Sequence, residues 1–197
     1  MKKRIAVFKG RVAPAAQGLP SNVAASIGRT IVRHTFLDQL LAKIIYALLG
    51  ISIKQGRVIV KLPPPGQYAS AVEDLLQFHK VYSRFNFSAF SNKLLAANSA
   101  RNLLAHSLFI KDVETCQLKI QIVRGSWEFE QDIVSVSRAL HPETKVVDRA
   151  FLSSKRAAVE EAIKAARELY VQITAALRVL NEKRRTETSM DRRHPIK

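Results

Sequence analysis

The chain has 197 residues, of which 47% are hydrophobic, so it is long enough for one domain with a proper core and short for two. Its 32 Lys and Arg against 16 Asp and Glu leave a net charge of +16, and the pI is about 10.4. This excess predicts a polyanionic partner, with nucleic acid the first choice. Cys116 is the single cysteine, which excludes an intrachain disulfide and a cysteine metal cluster and is typical of a reducing cytosol.

Hydropathy predicts no membrane segment. The longest apolar run, residues 44–53, is far shorter than a bilayer span and contains Gly50 and Ser52. The N-terminal residues have a basic start, but Arg11 and Pro14 interrupt them before an apolar stretch can form, which argues against a signal peptide. We therefore expect a cytoplasmic protein without a membrane partner.

The first elements are predicted from hydrophobic periodicity and from the positions of Gly and Pro. Residues 1–20 mix charge with Gly, Pro and Ala, and we interpret them as a basic, flexible arm. A long apolar helix is predicted from Ser21 to a C-terminal cap at Gly50. Residues 57–60 have a β-like pattern, and the prolines at 63–65 indicate a stiff connector.

The middle of the chain changes from helical to alternating periodicity. A second helix is predicted over 67–82 and a third, which carries the motif described below, over 88–105. Residues 108–110 and 118–122 alternate and predict an antiparallel hairpin. The side chains expected to face inward are those of Phe109, Leu118, Ile120 and Ile122.

The last part of the chain combines an uncertain segment with a clear helix. No element is assigned to residues 130–150, where Pro142 favours a loop, and a helix is predicted over 154–182 with Ser153 or Ser154 as its cap. A basic tail follows at 183–197. The prediction is thus a mainly α single domain, a helical bundle over residues 21–182 with a small β-hairpin insert after the motif helix.

One helix face combines Arg, Asn and His. On a helix, Asn98, Arg101, Asn102, Ala105 and His106 fall within an arc of about 140°. Asn102 and His106 are one turn apart, so the amide is expected to orient the imidazole. Arg101 and His106 lie at opposite edges of the arc and are expected to be too far apart to pair. A site built from them would need a second copy of the stripe, which predicts a homodimer.

The same bare spacing occurs twice. Arg29 and His34 repeat it in the first helix but lack the Asn and open a long apolar helix. Arg101 and His106 instead close a small-residue helix that leads into a β-like segment. We therefore interpret the first pair as a chance match and the second as the candidate site.

The segment Arg101-Asn102-Leu103-Leu104-Ala105-His106 resembles the motif of the HEPN superfamily, which reads Arg, a polar residue, a short spacer and His. Characterised members are often metal-independent ribonucleases whose motifs meet across a dimer. The resemblance implies a HEPN-like helical bundle, catalytic roles for Arg101, Asn102 and His106, no metal and no cofactor. It also implies a toxin or conflict and defence effector, with an antitoxin or regulatory protein as a possible partner.

The residue types suit this chemistry. The chain has no Gly-rich phosphate loop, no metal-ligand spacing among its histidines and no nucleophile elbow. In RNA the 2′-hydroxyl is the nucleophile, so the protein needs only proton transfer by a group such as His106 and charge stabilisation by one such as Arg101. Asn98, Arg84, Lys93 and Lys111 are the residues predicted to bind the RNA.

Two other interpretations stay open. The same fold, without catalysis, would bind RNA or a protein partner through its basic surface. Alternatively, the stripe is a solvated face in which Asn102 caps the helix, Arg101 pairs with Asp74 and His106 fills a polar slot in the core. A DNA-binding regulator is disfavoured, because no helix-turn-helix with a basic recognition helix stands out.

Overall fold

A computed structural model describes residues 19–63, 65–112, 115–122, 126–130, 133–137 and 143–191. These residues form a mainly α structure, as predicted. Its helices are α1 Ser21–Leu48, α2 Ile53–Ile59, α3 Tyr68–Phe78, α4 Phe87–His106 and α5 Arg149–Asp191, and its strands are β1 Leu108–Lys111, β2 Leu118–Ile122, β3 Ser126–Glu130, β4 Ile133–Ser137 and β5 Glu143–Val146. Residues 1–18, most of the predicted arm, lie outside the described residues, as do residues 192–197 of the predicted tail.

The main core lies between α1, α3, α4 and α5. Apolar residues recur at helical spacing on the facing sides of these helices, and burial of each large side chain contributes about 1.5–3 kcal/mol. Its deeply buried members include Leu37, Leu41, Ile44 and Leu48 of α1, Val72 and Leu76 of α3, Leu94 and Ala97 of α4, and Val159, Ala162, Ile163, Ala166 and Ile173 of α5. Helix α1 contacts each of the other three helices and so lies at the centre of this core.

Helix α1 ends in the predicted glycine cap. Gly50 has φ +69°, a left-handed conformation that glycine adopts without strain. Its N–H donates to the carbonyl of Ala47, and the Ile51 N–H donates to that of Tyr46. These two bonds form a Schellman motif, which satisfies carbonyls that the helix end would otherwise leave unpaired.

The β-like prediction for residues 57–60 is wrong, because the segment belongs mostly to helix α2. Ser52 and Gln55 form a capping box at the start of α2, and this local pairing favours helix over strand. Gly56 then packs against the ring of Tyr46, where an added Cβ would collide with the ring atoms. Of the three apolar residues that suggested a strand, Val58 and Ile59 therefore belong to α2, and Val60 is its C-cap.

Helix α3 is shorter than the predicted 67–82. It ends at Phe78 because Lys80 adopts φ +56°, and the Val81 N–H folds back to the carbonyl of Leu76. At the same end, His79 Nε2 donates to the Leu48 carbonyl over 2.6 Å. This bond joins the C-terminal ends of α1 and α3.

The predicted hairpin is confirmed and is part of a larger sheet. Strands β1 and β2 pair antiparallel with Phe109 opposite Ile120, and β5 adds to the other side of β2. Ile120 is fully buried in a second core with Ile27, Leu104 and Leu152. Strands β3 and β4 form a separate hairpin. Strands β4 and β5 thus lie within residues 130–150, and Pro142, which favoured a loop, lies outside the described residues.

Helix α5 extends past both predicted ends. The Asp148 side chain accepts from the Phe151 N–H over 2.6 Å, so Asp148 caps the helix in place of Ser153 or Ser154. The Ser154 hydroxyl instead donates to the Phe151 carbonyl. The helix continues to Asp191, so part of the predicted tail is helical.

Among the described helices, none by itself combines the length and apolar character needed to cross a membrane. Helices α1 and α2 reach that composition only as a pair, and they meet at a bend of 94°.

Candidate functional site

Helix α4 presents the motif at its C-terminal end. The Asn86 side chain caps its start by accepting from the Ala89 N–H over 3.2 Å. Its inner face buries Phe90, Leu94, Ala97, Ala100 and Leu104, all at helical spacing. Because this face is committed to the core, Asn102 and His106 lie on the exposed side and Arg101 at its edge. The prediction of a motif helix over 88–105 is correct to within one residue at each end.

Arg101 and His106 contact each other within one chain. Arg101 Nη1 lies 3.0 Å from His106 Nε2 and also 3.0 Å from the Oδ1 of Asn102. The prediction that Arg101 and His106 are too far apart is wrong. The 140° arc describes the positions of the Cα atoms, whereas the long arginine side chain covers the axial rise of about 7.5 Å between residues five apart. His106 is also the last residue of helix α4.

The donors and acceptors of this pair are set by residue type. A guanidinium has only N–H donors, so His106 Nε2 accepts and the ring proton of this neutral imidazole sits on Nδ1. The Asn102 amide oxygen also accepts from Arg101, and among the described residues no hydrogen bond joins it to the imidazole. The prediction that Asn102 orients His106 is therefore wrong: Asn102 orients Arg101, and Arg101 in turn orients His106.

A buried histidine from α1 reaches the same helix. His34 is 6% exposed, and its Nε2 lies 2.8 Å from the Oδ1 of Asn98. Its Nδ1 lies 3.4 Å from the Oδ2 of Asp38, one turn further along α1. We interpreted Arg29 and His34 as a chance match, and the structure gives the two residues different environments. Arg29 is exposed, whereas His34 bonds to a residue of the motif helix.

Opposing effects set the protonation of His34. Burial lowers its pKa, but the hydrogen bonds to Asp38 and Asn98 and the charge of Asp38 together outweigh burial and raise the pKa above its ordinary value. The positive charge of Arg101 lowers it again. Arg101 is thus close enough to His34 for the two charges to interact. In the protonated ring both nitrogens donate, which fits two oxygen acceptors.

A sequence signal for His34 does exist. Along α1 the buried positions include Ile27, Thr30, His34, Leu37 and Leu41, which follow helical spacing. A histidine on such a face is in the core, where its ring nitrogens need partners. The pattern does not say which helix supplies the partner.

The four residues predicted to bind RNA are not brought together. The Asn98 oxygen is engaged by buried His34. Arg84 is exposed before the start of α4, and the helix from its first residue to Arg101 is about 21 Å long. Lys93 lies 3.6 Å from the Glu161 carboxylate of α5, so its charge is partly neutralised. Lys111 is exposed at the end of β1.

An arginine on α1, next to His34 in the chain, is already paired. Arg33 of α1 makes two hydrogen bonds, 2.8 and 2.7 Å long, to the Glu160 carboxylate of α5. The guanidinium groups of Arg33 and Arg167 also lie 5.5 and 5.4 Å from the Phe36 ring centre. Within the described ranges, no such carboxylate pairs with Arg101, which leaves its charge available to an external anion.

No three His, Cys, Asp or Glu side chains converge in the part of the chain that the structure describes. In comparisons with known proteins, the chain matches no family model, no curated protein and no solved structure. The resemblance to the HEPN superfamily therefore stays a prediction, drawn from the Arg-Asn-x3-His segment at 101–106 and from the predicted order of elements around it.

Proposed function

We propose that the protein is a metal-independent endoribonuclease of the HEPN type and that Arg101 and His106 are its catalytic residues. The observation that carries the proposal is the 3.0 Å contact between the two side chains at the exposed end of α4. A phosphate-binding cation and a proton-transfer group thus lie side by side, with Asn102 holding the cation. The net charge of +16 favours a nucleic-acid substrate.

The proposed reaction is a transesterification within the RNA. The 2′-oxygen attacks the adjacent phosphorus, a P–O2′ bond forms, and the bond from phosphorus to the 5′-oxygen breaks. His106 takes the 2′-hydroxyl proton at Nε2, and the leaving 5′-oxygen takes a proton from water. Before this proton transfer the bound phosphate draws Arg101 away from His106 Nε2, and the guanidinium N–H groups that Asn102 does not use then stabilise the charge that develops on the phosphate. The products are a 2′,3′-cyclic phosphate and a 5′-hydroxyl.

The fold and partners of the proposal follow from the same resemblance. The described bundle would be a HEPN-like domain, acting as a toxin or defence effector with an antitoxin or regulatory protein as partner. A homodimer remains part of the proposal, but the reason first given for it no longer applies. One chain already brings Arg101 and His106 together, so a second copy would add another pair rather than complete the first. Sedimentation at micromolar concentration tests the dimer.

The test uses purified full chain and an end-labelled RNA in the presence of EDTA. The expected result is fragments that end in a cyclic phosphate and a 5′-hydroxyl, and no cleavage of a substrate with 2′-deoxy or 2′-O-methyl sugars. Fragments with 5′-phosphates, or activity that EDTA removes, would overturn the proposed chemistry.

A second candidate is a non-catalytic RNA-binding module, and one observation favours it. The bond from Arg101 occupies His106 Nε2, so the ring cannot accept a proton there while that bond is intact. RNA binding that depends on Arg101 without any cleavage would support this candidate. Cleavage requires instead that the bound phosphate draws Arg101 away from the ring.

A further inference from the structure

We propose that buried His34 is the positioning residue of this site and that its ring takes up a proton when a phosphodiester binds to Arg101. This inference deepens the proposed function and rests on it, because it requires an anion at Arg101. His34 lies outside the Arg-Asn-x3-His segment, in a different helix. It would make the phosphate site sensitive to pH from inside the bundle.

A hydrogen bond joins His34 directly to helix α4. Its Nε2 donates over 2.8 Å to Asn98, which stands one helical turn before Arg101 and Asn102. Thr30 is the other deeply buried polar residue in the described part of the chain, and its hydroxyl bonds within α1 to the Ser26 carbonyl. His34 is thus the one of the two that crosses to another helix.

Charged groups on the neighbouring helices determine how readily the His34 ring takes up a proton. Asp38 of α1 favours the protonated ring, and Arg101 of α4 opposes it. On α5, the Glu160 carboxylate is held by Arg33. On α3, Tyr68 is close enough to Asp38 that burial and this charge raise the tyrosine pKa.

An anion bound to Arg101 would therefore favour protonation of His34. A bound phosphodiester offsets the positive charge that opposes the protonated ring, so protonation becomes easier. Coupling of two binding events is reciprocal, so the proton on His34 must strengthen phosphodiester binding by the same factor. Binding couplings of this kind are typically about fivefold or more, and fivefold moves the pH midpoint by about 0.7 unit.

The experiment follows the histidine ring resonances of the full chain by NMR across pH. A 2′-O-methyl oligoribonucleotide serves as ligand, because its phosphodiesters do not titrate near neutrality and it cannot be cleaved. The expected result is a higher pH midpoint for His34 in the complex than in the free protein. Affinity should also rise as the pH falls, and His34→Gln, which keeps a hydrogen-bonding side chain without the charge, should weaken that rise.

A matched control is His79→Gln, which changes a histidine that donates to the Leu48 carbonyl outside the site. It should leave the pH dependence of binding as in wild type. Binding that Arg101→Ala removes, with an unchanged His34 midpoint, would overturn this inference and leave the proposed function standing. Binding that Arg101→Ala does not affect would overturn the proposed function itself. The wild-type measurement decides the question even if His34→Gln fails to fold.

Discussion

The imidazole of His34 and the amide of Asn98 are joined by a 2.8 Å hydrogen bond that links α1 to α4, 64 residues apart in the chain. The histidine is buried on a mainly apolar face of α1, next to Thr30 as the other buried polar residue in the described part of the chain. A buried polar group costs stability unless it is paired, so this bond sets how the two helices meet. It also places the face of α4 that carries Arg101 against a titratable ring.

Replacing His34 by alanine should destabilise the protein by roughly 2–4 kcal/mol. The change leaves a cavity and removes the partner of the Asn98 oxygen, and these costs add. Urea unfolding followed by circular dichroism measures the effect. Arg29→Ala, on the exposed side of the same helix, should stay within about 0.5 kcal/mol of wild type. Equal losses for the two variants would contradict the structural role of His34.

The contribution of His34 to stability should depend on pH in a defined direction. Its pKa is raised in the folded protein, so the folded state binds the proton more tightly than the unfolded state does. This stabilisation is fully present below the unfolded value of about 6.5 and is lost as the pH rises through the folded pKa. The difference in unfolding free energy between wild type and His34→Gln should therefore shrink from pH 5.5 to pH 8.5, an assay range of about 3 units. A difference that grows with pH would show the sign to be wrong.

Arg101→Ala and His106→Ala should each reduce RNA cleavage by about 10²–10⁴-fold, the usual cost of losing an acid–base or charge-stabilising group. Both side chains lie off the buried face of α4, so the circular dichroism spectrum and the unfolding free energy should stay close to wild type. Initial cleavage rates in EDTA are the measurement. Arg29→Ala removes an exposed arginine outside the pair and should retain activity. Full activity in both motif variants would place the chemistry elsewhere.

RNA affinity should fall steeply with salt. The chain has 16 more positive than negative charges, and each phosphate contact releases a counterion on binding. Fluorescence anisotropy between about 50 and 200 mM salt gives the slope of affinity against salt. Arg84→Ala and Lys111→Ala compare two exposed cations. Arg84 lies just before the start of α4, and Lys111 lies at the end of β1. The one that contacts phosphate should lower the slope by about 1. An affinity that stays flat across this range would argue against a basic RNA surface.

Gly56→Ala should destabilise the protein by about 1–3 kcal/mol, although alanine is the better helix former. The added methyl group would collide with the Tyr46 ring, which fixes α2 on α1. Gly28→Ala is the matched control, because it also lies in a helix but has no neighbour within 4 Å of the new Cβ. The control should stabilise the protein by up to about 1 kcal/mol. Opposite signs in urea unfolding would confirm the close packing at Gly56, and equal signs would contradict it.

Local patterns in the sequence were sufficient for much of the fold. The period of α1, its stop at Gly50 and the alternation in β1 and β2 all reflect interactions between residues close in the chain, so they were predictable. The same holds for the bounds of α4, the helix that carries Arg101 and His106. For the described elements, the mainly α class follows from these features.

Other features could not be read from local patterns in the sequence. Strand β5 exists because it pairs with β2, and α2 is fixed because Gly56 fits the Tyr46 ring, and neither partner can be read from a local window. The contact between Arg101 and His106 was missed because Cα angles on a helix do not describe the reach of a long side chain. The bond between His34 and Asn98 required the packing of α1 on α4. The sequence determined which groups are present, and the tertiary structure decided which of them meet, because hydrogen bonds and charges act across helices that only the folded core brings together.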